Sequence, residues 1–458
     1  MSTVLLLPTI FLSSLFFAWL AINIANNIRK KEKLSSLPQY HAVWAFFCAL
    51  LPSLFIYLLV SIGDDILFKY WVQGFYPNLS SLDGTVKEIN FIKVMNEVDG
   101  ITFGEPEAWV IPAAEAWVRW SGTSAILVSF LSIFSSVCLG VYSLIKVSSS
   151  FKARIAVEKV ILWMLGLSSI VAIITTLGIV LSVLFETIRF FKLIPPDEFL
   201  FGLIWNPQFE GAVRAGSEGA PAEYGMLPMF VGTFLISFVA LSVAVPVGLL
   251  SAIYLAEYAS KKVRALVKPL LEVLAGVPTV VYGFFAALTV APMIKNLGET
   301  IGLTVASESA LAAGMVMGVM IIPFISSLSD DVINAVPQSL RDAALGMGST
   351  QSETTLLIVL PAALPGIVAA IILAVSRAIG ETMIVVMAAG LAANLSFNPL
   401  DAVTTVTAQI VTILMGDQEF ESAKTLSAFA LALMLIIVTL ILNFFALQIV
   451  KKYREAYD

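Results

Sequence analysis

The chain has 458 residues, of which 59% are hydrophobic and only 13% are charged. A soluble domain carries about 25% charged residues to keep its surface hydrated, so composition excludes an ordinary water-soluble enzyme or binding domain and points to lipid as the solvent. The net charge of −6 decides little, because in a membrane protein the placement of charges matters more than their sum.

A bilayer core about 30 Å thick takes about 20 apolar residues as a helix. Nine stretches meet that length, near 4–27, 42–62, 123–145, 161–187, 227–257, 269–294, 309–327, 364–393 and 426–449. The predicted fold class is therefore all-α, a polytopic transmembrane helical bundle. The sixth and eighth stretches contain Gly and Pro, which allow kinks or re-entrant geometry.

Arg29, Lys30, Lys31 and Lys33 follow the first stretch instead of preceding it, so it reads as a retained span and not as a cleaved leader. Such clusters are held in the cytoplasm, which places the N-terminus on the outer, periplasmic side. His41 immediately precedes the second span, which holds Cys48, and the third holds Cys138. All three sit in or beside apolar runs, form no disulfide framework and no metal-ligand spacing, and read as packing residues. The outside segment 63–121 carries Trp71, Trp109, Trp117 and Trp120; it is too polar to span and is predicted to form a small folded or interface-lying cap. Trp117 and Trp120 also suit an aromatic belt ahead of the third span.

The loops assigned to the inside hold 16 of the 26 Lys and Arg, whereas residues 63–120 hold nine Asp and Glu against four Lys and Arg. The alternation persists through all nine spans and puts the C-terminus in the cytoplasm. Two parts follow: residues 1–155 with three spans and the outside segment, and 156–458 with six spans and short loops. Arg189 and Lys192 are expected to snorkel at an outer helix end. Glu257 is expected at the inner interface, and Glu272 is expected to pair with Lys268 at i−4. No GxxxxGK[ST] loop occurs, so the chain does not bind ATP in that manner.

The long cytoplasmic loop 328–363 contains Pro337, then Ser339 as a predicted N-cap with Asp342 three residues on. A short helix through Arg341, Asp342, Ala343, Ala344 and Leu345 should end at Gly346 and Gly348. Ser352 and Glu353 should begin a second piece, with Pro361 and Pro365 marking the start of the eighth span. Two such pieces form a knob suited to docking in a groove of a soluble partner.

The eighth span holds Arg377 and Glu381 with Gly380 and Thr382 beside them. A charge at mid-span costs about 2.5–3.5 kcal/mol and faces the bundle interior or a wet cavity. Spacing i, i+4 lets the two pair on one helix face. Either the pair is structural, or Arg377 lines a pathway and meets an anionic solute, for which a guanidinium is suited.

These residues carry a resemblance. Asp342-Ala343-Ala344, Gly348 and Ile358-Val359-Leu360-Pro361 resemble, in spacing throughout, the "EAA" loop of bacterial ABC importer permeases, with Asp in place of Glu. Arg377 to Met383 resembles the R-A-x-G-E-T motif of phosphate-specific members. Ile204-Trp205-Asn206-Pro207, Tyr224-Gly225-Met226-Leu227-Pro228 and Gly276-Val277-Pro278-Thr279 are similar to stretches of the C-type subunit in that family. The resemblance covers about 160–450 and leaves the first 155 residues outside the six-span core.

It implies a non-catalytic subunit of an importer for inorganic phosphate in the bacterial inner membrane. The implied assembly has a second permease, a pair of ATPase subunits that bind the ATP, and a periplasmic phosphate-binding protein. No cofactor or metal in this chain is implied. Asp342, Ala343, Ala344, Gly348, Ile358, Leu360 and Pro361 would form the ATPase-coupling loop, and Arg377, Glu381 and Thr382 would lie on the solute path. An importer of another oxyanion such as molybdate or sulfate, a membrane sensor or scaffold, and an ion-driven secondary transporter are the competing readings.

Overall fold

A computed structural model describes residues 3–77, 84–101, 106–207, 222–416 and 422–454. Parts of the predicted outside cap, 78–83 and 102–105, lie outside the described residues. Among the described residues nine helices are long and apolar enough to cross a membrane. The chain divides into two compact units, Met1–Ile174 and Thr175–Asp458.

The first unit is built on α1 (Thr3–Arg29), α2 (Pro38–Val72) and α4 (Val110–Ile145), which pack on one another. Small residues line the seams: Ala21, Ala25, Ala45 and Ala49 are buried, and Ser13 and Ser136 share a hydrogen bond of 2.7 Å. Without a water-driven hydrophobic force between helices, close backbone approach and polar links of this kind carry the association. α4 has 36 residues, about 54 Å at 1.5 Å per residue, so it continues well beyond a bilayer core. On that extension sits the short helix α3 (Gly84–Val98). The predicted cap is folded: Val72, Tyr76, Val94 and Val110 form its core, with Phe91, Trp109, Trp117 and Trp120 packed against them. Trp71 and Trp120 meet edge to face at 5.4 Å, and Phe91 and Trp117 at 5.5 Å. Trp117 and Trp120 thus serve the cap cluster. His41 is fully buried beside Phe151.

α5 (Ala153–Leu193) is 41 residues long and apolar on all sides. It contributes to both units.

In the second unit α6 (Pro196–Phe201) leads to a two-residue strand β1 (Trp205–Asn206), paired antiparallel with β2 (Glu223–Tyr224) in the register Trp205↔Tyr224. The centre is the packing of α7 (Leu227–Ile253) on a long helix that begins at Ala310. Gly314 and Gly318 make that contact possible: a Cβ on Gly314 would lie 2.6 Å from Val239, and one on Gly318 2.8 Å from the Ala240 carbonyl. This is the small-residue spacing of close helix pairs in membranes.

The predicted sixth span, 269–294, is corrected. Residues before Gly276 form a separate amphipathic helix α8 (Lys261–Ala275), capped by Ser260. Gly276-Val277-Pro278 interrupts the chain, and the span itself runs Thr279–Thr300 through α9 (Thr279–Phe285) and α10 (Ala291–Thr300). Apolar content extended the prediction too far toward the N-terminus, because α8 has leucines on one side and lysines and Arg264 on the other.

The long central helix is α11 (Ala310–Ala335). Then come the short α12 (Gln338–Gly346), α13 (Gln351–Thr354), α14 (Leu360–Ile379), α15 (Met383–Ala388), α16 (Val406–Met415) and α17 (Ala423–Arg454). α13 runs into α14 through a π-helical turn, Thr355–Val359, so the eighth span covers Gln351–Ile379. The predicted 364–393 is corrected at both ends.

Candidate functional site

Arg377 occupies the last turn of α14, where the free carbonyls of a helix C-terminus favour a cation. Its guanidinium carbon lies 5.7 Å from the ring centre of Phe324. Phe324 is near the middle of the 26-residue α11, so the cation sits near mid-depth of the bundle. Its side chain is exposed in this chain, and among the described residues no carboxylate lies within ion-pair distance of it.

The predicted Arg377–Glu381 pair is therefore corrected. The helix stops at Ile379, and Gly380 interrupts it, so the i, i+4 geometry does not exist. Glu381, 9% exposed, accepts instead from the backbone amides of Met383 at 3.1 Å and Ile384 at 3.4 Å. Its side chain thereby satisfies the first free N–H groups of α15. The Glu381 carbonyl takes the Thr407 hydroxyl at 2.7 Å, linking the break to α16. Thr382 stands at the break itself, its hydroxyl 3.4 Å from the Gly380 carbonyl. Thr405 caps α16, and the Val406 amide donates to Thr233 of α7 at 3.1 Å. Ser376, one residue before Arg377, is tied to Asn443 of α17 at 2.9 Å.

Phe324 and Thr407 were not legible as partners of this site: a phenylalanine and a threonine in apolar helices carry no distinguishing mark. The break had a signal in the polar run Gly380-Glu381-Thr382 at the end of an apolar stretch.

The second constellation surrounds α12. Ser339 is inside this helix and not its cap; Pro337 precedes it without a side-chain cap. Asp342 is exposed and accepts from Gln338 at 3.1 Å, Ala343 is exposed, and Ala344 is buried at 5% exposure. Of the two alanines, only Ala343 is on the open side. Leu345 and Met347 are also exposed. Gly348 has φ +92°, the left-handed region that glycine alone enters without strain. Thr350 and Glu353 form a capping box that starts α13. Val359 is buried with Ala252, Ile333, Val336, Ala363 and Ile367; Leu360 packs against them, while Ile358 and Pro361 are half-buried.

Arg341 has three donor groups engaged. It meets Glu257 at 2.9 Å and 3.2 Å, the Ile333 carbonyl at 2.8 Å and the Val336 carbonyl at 2.5 Å. Gln351 donates to the Glu257 carbonyl at 2.5 Å. Nearby, Asp330, 1% exposed, accepts both Arg264, at 3.0 and 2.9 Å, and Lys268, at 2.9 Å. Lys268 also reaches Asp331 at 3.0 Å; it is not drawn to Glu272 as predicted, since the buried Asp330 offers the better-desolvated partner. The hydrogen bonds to Asp330, then to Asp331, hold the Lys268 ammonium above its usual range.

Comparison with known proteins places this geometry. Residues 244–455 match the family described as "Binding-protein-dependent transport system inner membrane component". Residues 16–175 match a second family, described as "Phosphate ATP-binding cassette transporter". The probable ABC transporter permease protein YqgH of Bacillus subtilis is 30% identical over 54% of this chain and 75% of its own length. Phosphate transport system permease protein PstC 1 of Mycobacterium tuberculosis is 30% identical over 54% of this chain and 80% of its own. The chain belongs to the binding-protein-dependent ABC permeases. Within that permease family, PstC of Pasteurella multocida is 34% identical, over 36% of this chain and about half of its own length (52%). Among solved structures, the chain is similar to a bacterial alginate ABC transporter at 17% identity and a TM-score of 0.45, covering 64% of this chain and 95% of that one.

Proposed function

We infer that this permease is the transmembrane subunit of an ATP-driven importer that moves inorganic phosphate across the bacterial inner membrane, with its N-terminus outside and its C-terminus in the cytoplasm. The observation that carries the reading is Arg377: a guanidinium near mid-depth, resting on Phe324 and without a carboxylate partner among the described residues. Placing a charge at that depth of a membrane costs about 2.5–3.5 kcal/mol on insertion scales. A cation–π contact returns about 0.5–2 kcal/mol. The remainder falls to water or to an anion, and phosphate oxygens match the planar donor fork of Arg. A single cation binds weakly, which suits a pathway that must release its solute.

The chain contains no GxxxxGK[ST] loop. Its partners are a second permease of the PstA type, a PstB-type ATPase pair that binds the ATP, and a PstS-type periplasmic phosphate-binding protein. The exposed face of α12, with Asp342, Ala343, Leu345 and Met347, is the docking surface for the ATPase. Closure of the ATPase pair moves that knob, and the bundle alternates between outward and inward access.

Labelled-phosphate uptake in cells lacking this chain tests the reading. Wild type should restore uptake and Arg377→Gln should not, although it inserts normally. Normal uptake by Arg377→Gln would overturn it. Competition by molybdate or sulfate at equal strength would redirect the substrate to another oxyanion.

A further inference from the structure

We propose that Arg341 and Glu257 form the positioning contact through which movement of α12 is delivered to α7. The proposal rests on the docking role assigned above to α12 and goes beyond it in naming the residues on the inward side.

α12 has two faces. Asp342, Ala343, Leu345 and Met347 are exposed, whereas Arg341 and Ala344 point into the protein. Covalent continuity joins α12 to α11 through Val336 and Pro337, and to α13 through the turn at Gly348. The first connection reaches α7 only indirectly, through the packing of α11 along it; a direct link must come from side chains, because α7 is about 80 residues earlier in the sequence. Arg341 makes that link. Its Nε and Nη2 hold Glu257 in the turn that continues α7, while Nη1 and Nη2 hold the Val336 and Ile333 carbonyls at the end of α11.

Three features make this a transmitting contact and not only a local staple. First, the side chains of Arg341 and Glu257 are 12% and 10% exposed, so water competes little for either, and a planar guanidinium with several fixed donors transmits direction as well as distance. Second, a cavity of about 430 Å³ lies beside the pair, lined among others by Asn334, Gln338 and Thr354. α12 is thus not close-packed on this side, and the ion pair lines the gap. Third, Glu257 sits in a π-helical turn, Tyr254–Tyr258, and Thr355–Val359, which shares a hydrophobic cluster with it, is another. Such wide turns recur at functional sites, and these two flank the contact. Gln351, at the start of α13, donates to the Glu257 backbone, so α12 and α13 converge on one residue of the turn that continues α7.

The test uses the complete importer, reconstituted in proteoliposomes with its ATPase, second permease and phosphate-binding protein. ATP hydrolysis and import of labelled inorganic phosphate are measured on the same preparation. Arg341→Gln and Glu257→Gln should each lower phosphate imported per ATP hydrolysed by about tenfold or more, with the ATPase still co-purifying. Arg341→Lys, which keeps the charge and loses the fork, should retain an intermediate ratio. The double variant should be no worse than either single one, as for two residues acting as a unit.

A parallel fall in hydrolysis and import, or an unchanged ratio, would overturn the proposal, since a merely structural pair has no reason to alter the ratio. Loss of the ATPase from the variants alone would assign Arg341 to docking and also overturn it. Failure of the ATPase to co-purify with the wild-type chain would instead reject the docking role itself.

Discussion

The Glu381 carboxylate faces the amides of Met383 and Ile384, not the guanidinium of Arg377 four residues earlier. One acidic residue in the membrane therefore acts as a helix cap, and the neighbouring basic residue is left for another partner. Glu381→Gln keeps an acceptor oxygen at the same reach and should preserve folding and most uptake. Glu381→Ala leaves the start of α15 uncapped, at a cost of about 0.5–2 kcal/mol. Thermal unfolding in detergent, followed beside uptake, checks the ordering; equal behaviour of the two variants would refute the capping role.

The buried Asp330 joins α11 to α8 through two cations. Removing the acid of a buried pair costs about 3–5 kcal/mol when the cations are left uncompensated. Arg264 and Lys268 are about one-third exposed (32% and 31%), so partial hydration puts the expected loss for Asp330→Ala near the lower end. The melting temperature of the purified protein should fall clearly, and Asp331→Ala, at an exposed position, should change it little.

Gly348 has open space around its missing Cβ but a φ of +92°. Substitution should therefore cost backbone strain and not steric clash, about 1–2 kcal/mol for Ala and less for Asn. The turn between α12 and α13 should distort accordingly. Co-purification of the ATPase is expected to fall in the order Gly, Asn, Ala; equal recovery would show that the turn conformation is not needed for docking.

Glu107 accepts from Lys93 and from the indole of Trp109, and these hydrogen bonds, that of Lys93 first, lower its pKa from 4.5. A carboxylate with a depressed folded pKa contributes stability above its unfolded value and loses it as pH falls through the folded one. The link from Glu107 to Lys93 and Trp109 should accordingly weaken as pH falls below the ordinary carboxylate range. Trp109 fluorescence should change over that acidic window in wild type and not in Glu107→Gln.

The number of spans was legible because a run of about 20 apolar residues is dictated by bilayer thickness. Helix ends were less so. The helix of the second span continues to Val72 and that of the third begins at Val110, since nothing obliges a helix to stop where the lipid does. The α12 region was legible from Pro337, Gly348 and the alanines, which are local signals. Arg341 counted in the sequence only as a charge on the cytoplasmic side; its partner Glu257 is too remote for any periodicity to reveal. Spacing suggested Arg377–Glu381 and Lys268–Glu272, and each failed for its own reason. The first needs a continuous helix, which stops at Ile379 and leaves Glu381 to cap α15 locally; the second offers only a few tenths of a kcal/mol, and tertiary structure supplied a better partner in Asp330.

The interruption at 380–382 has one more implication. Non-helical backbone at membrane depth is tolerated only when its polar groups find partners. Here the Glu381 carbonyl has Thr407, the Gly380 carbonyl has Thr382, and the Met383 and Ile384 amides have Glu381. The bend is thus stitched together by its own polypeptide, and the backbone beside Arg377 takes its contour from hydrogen bonds within this chain.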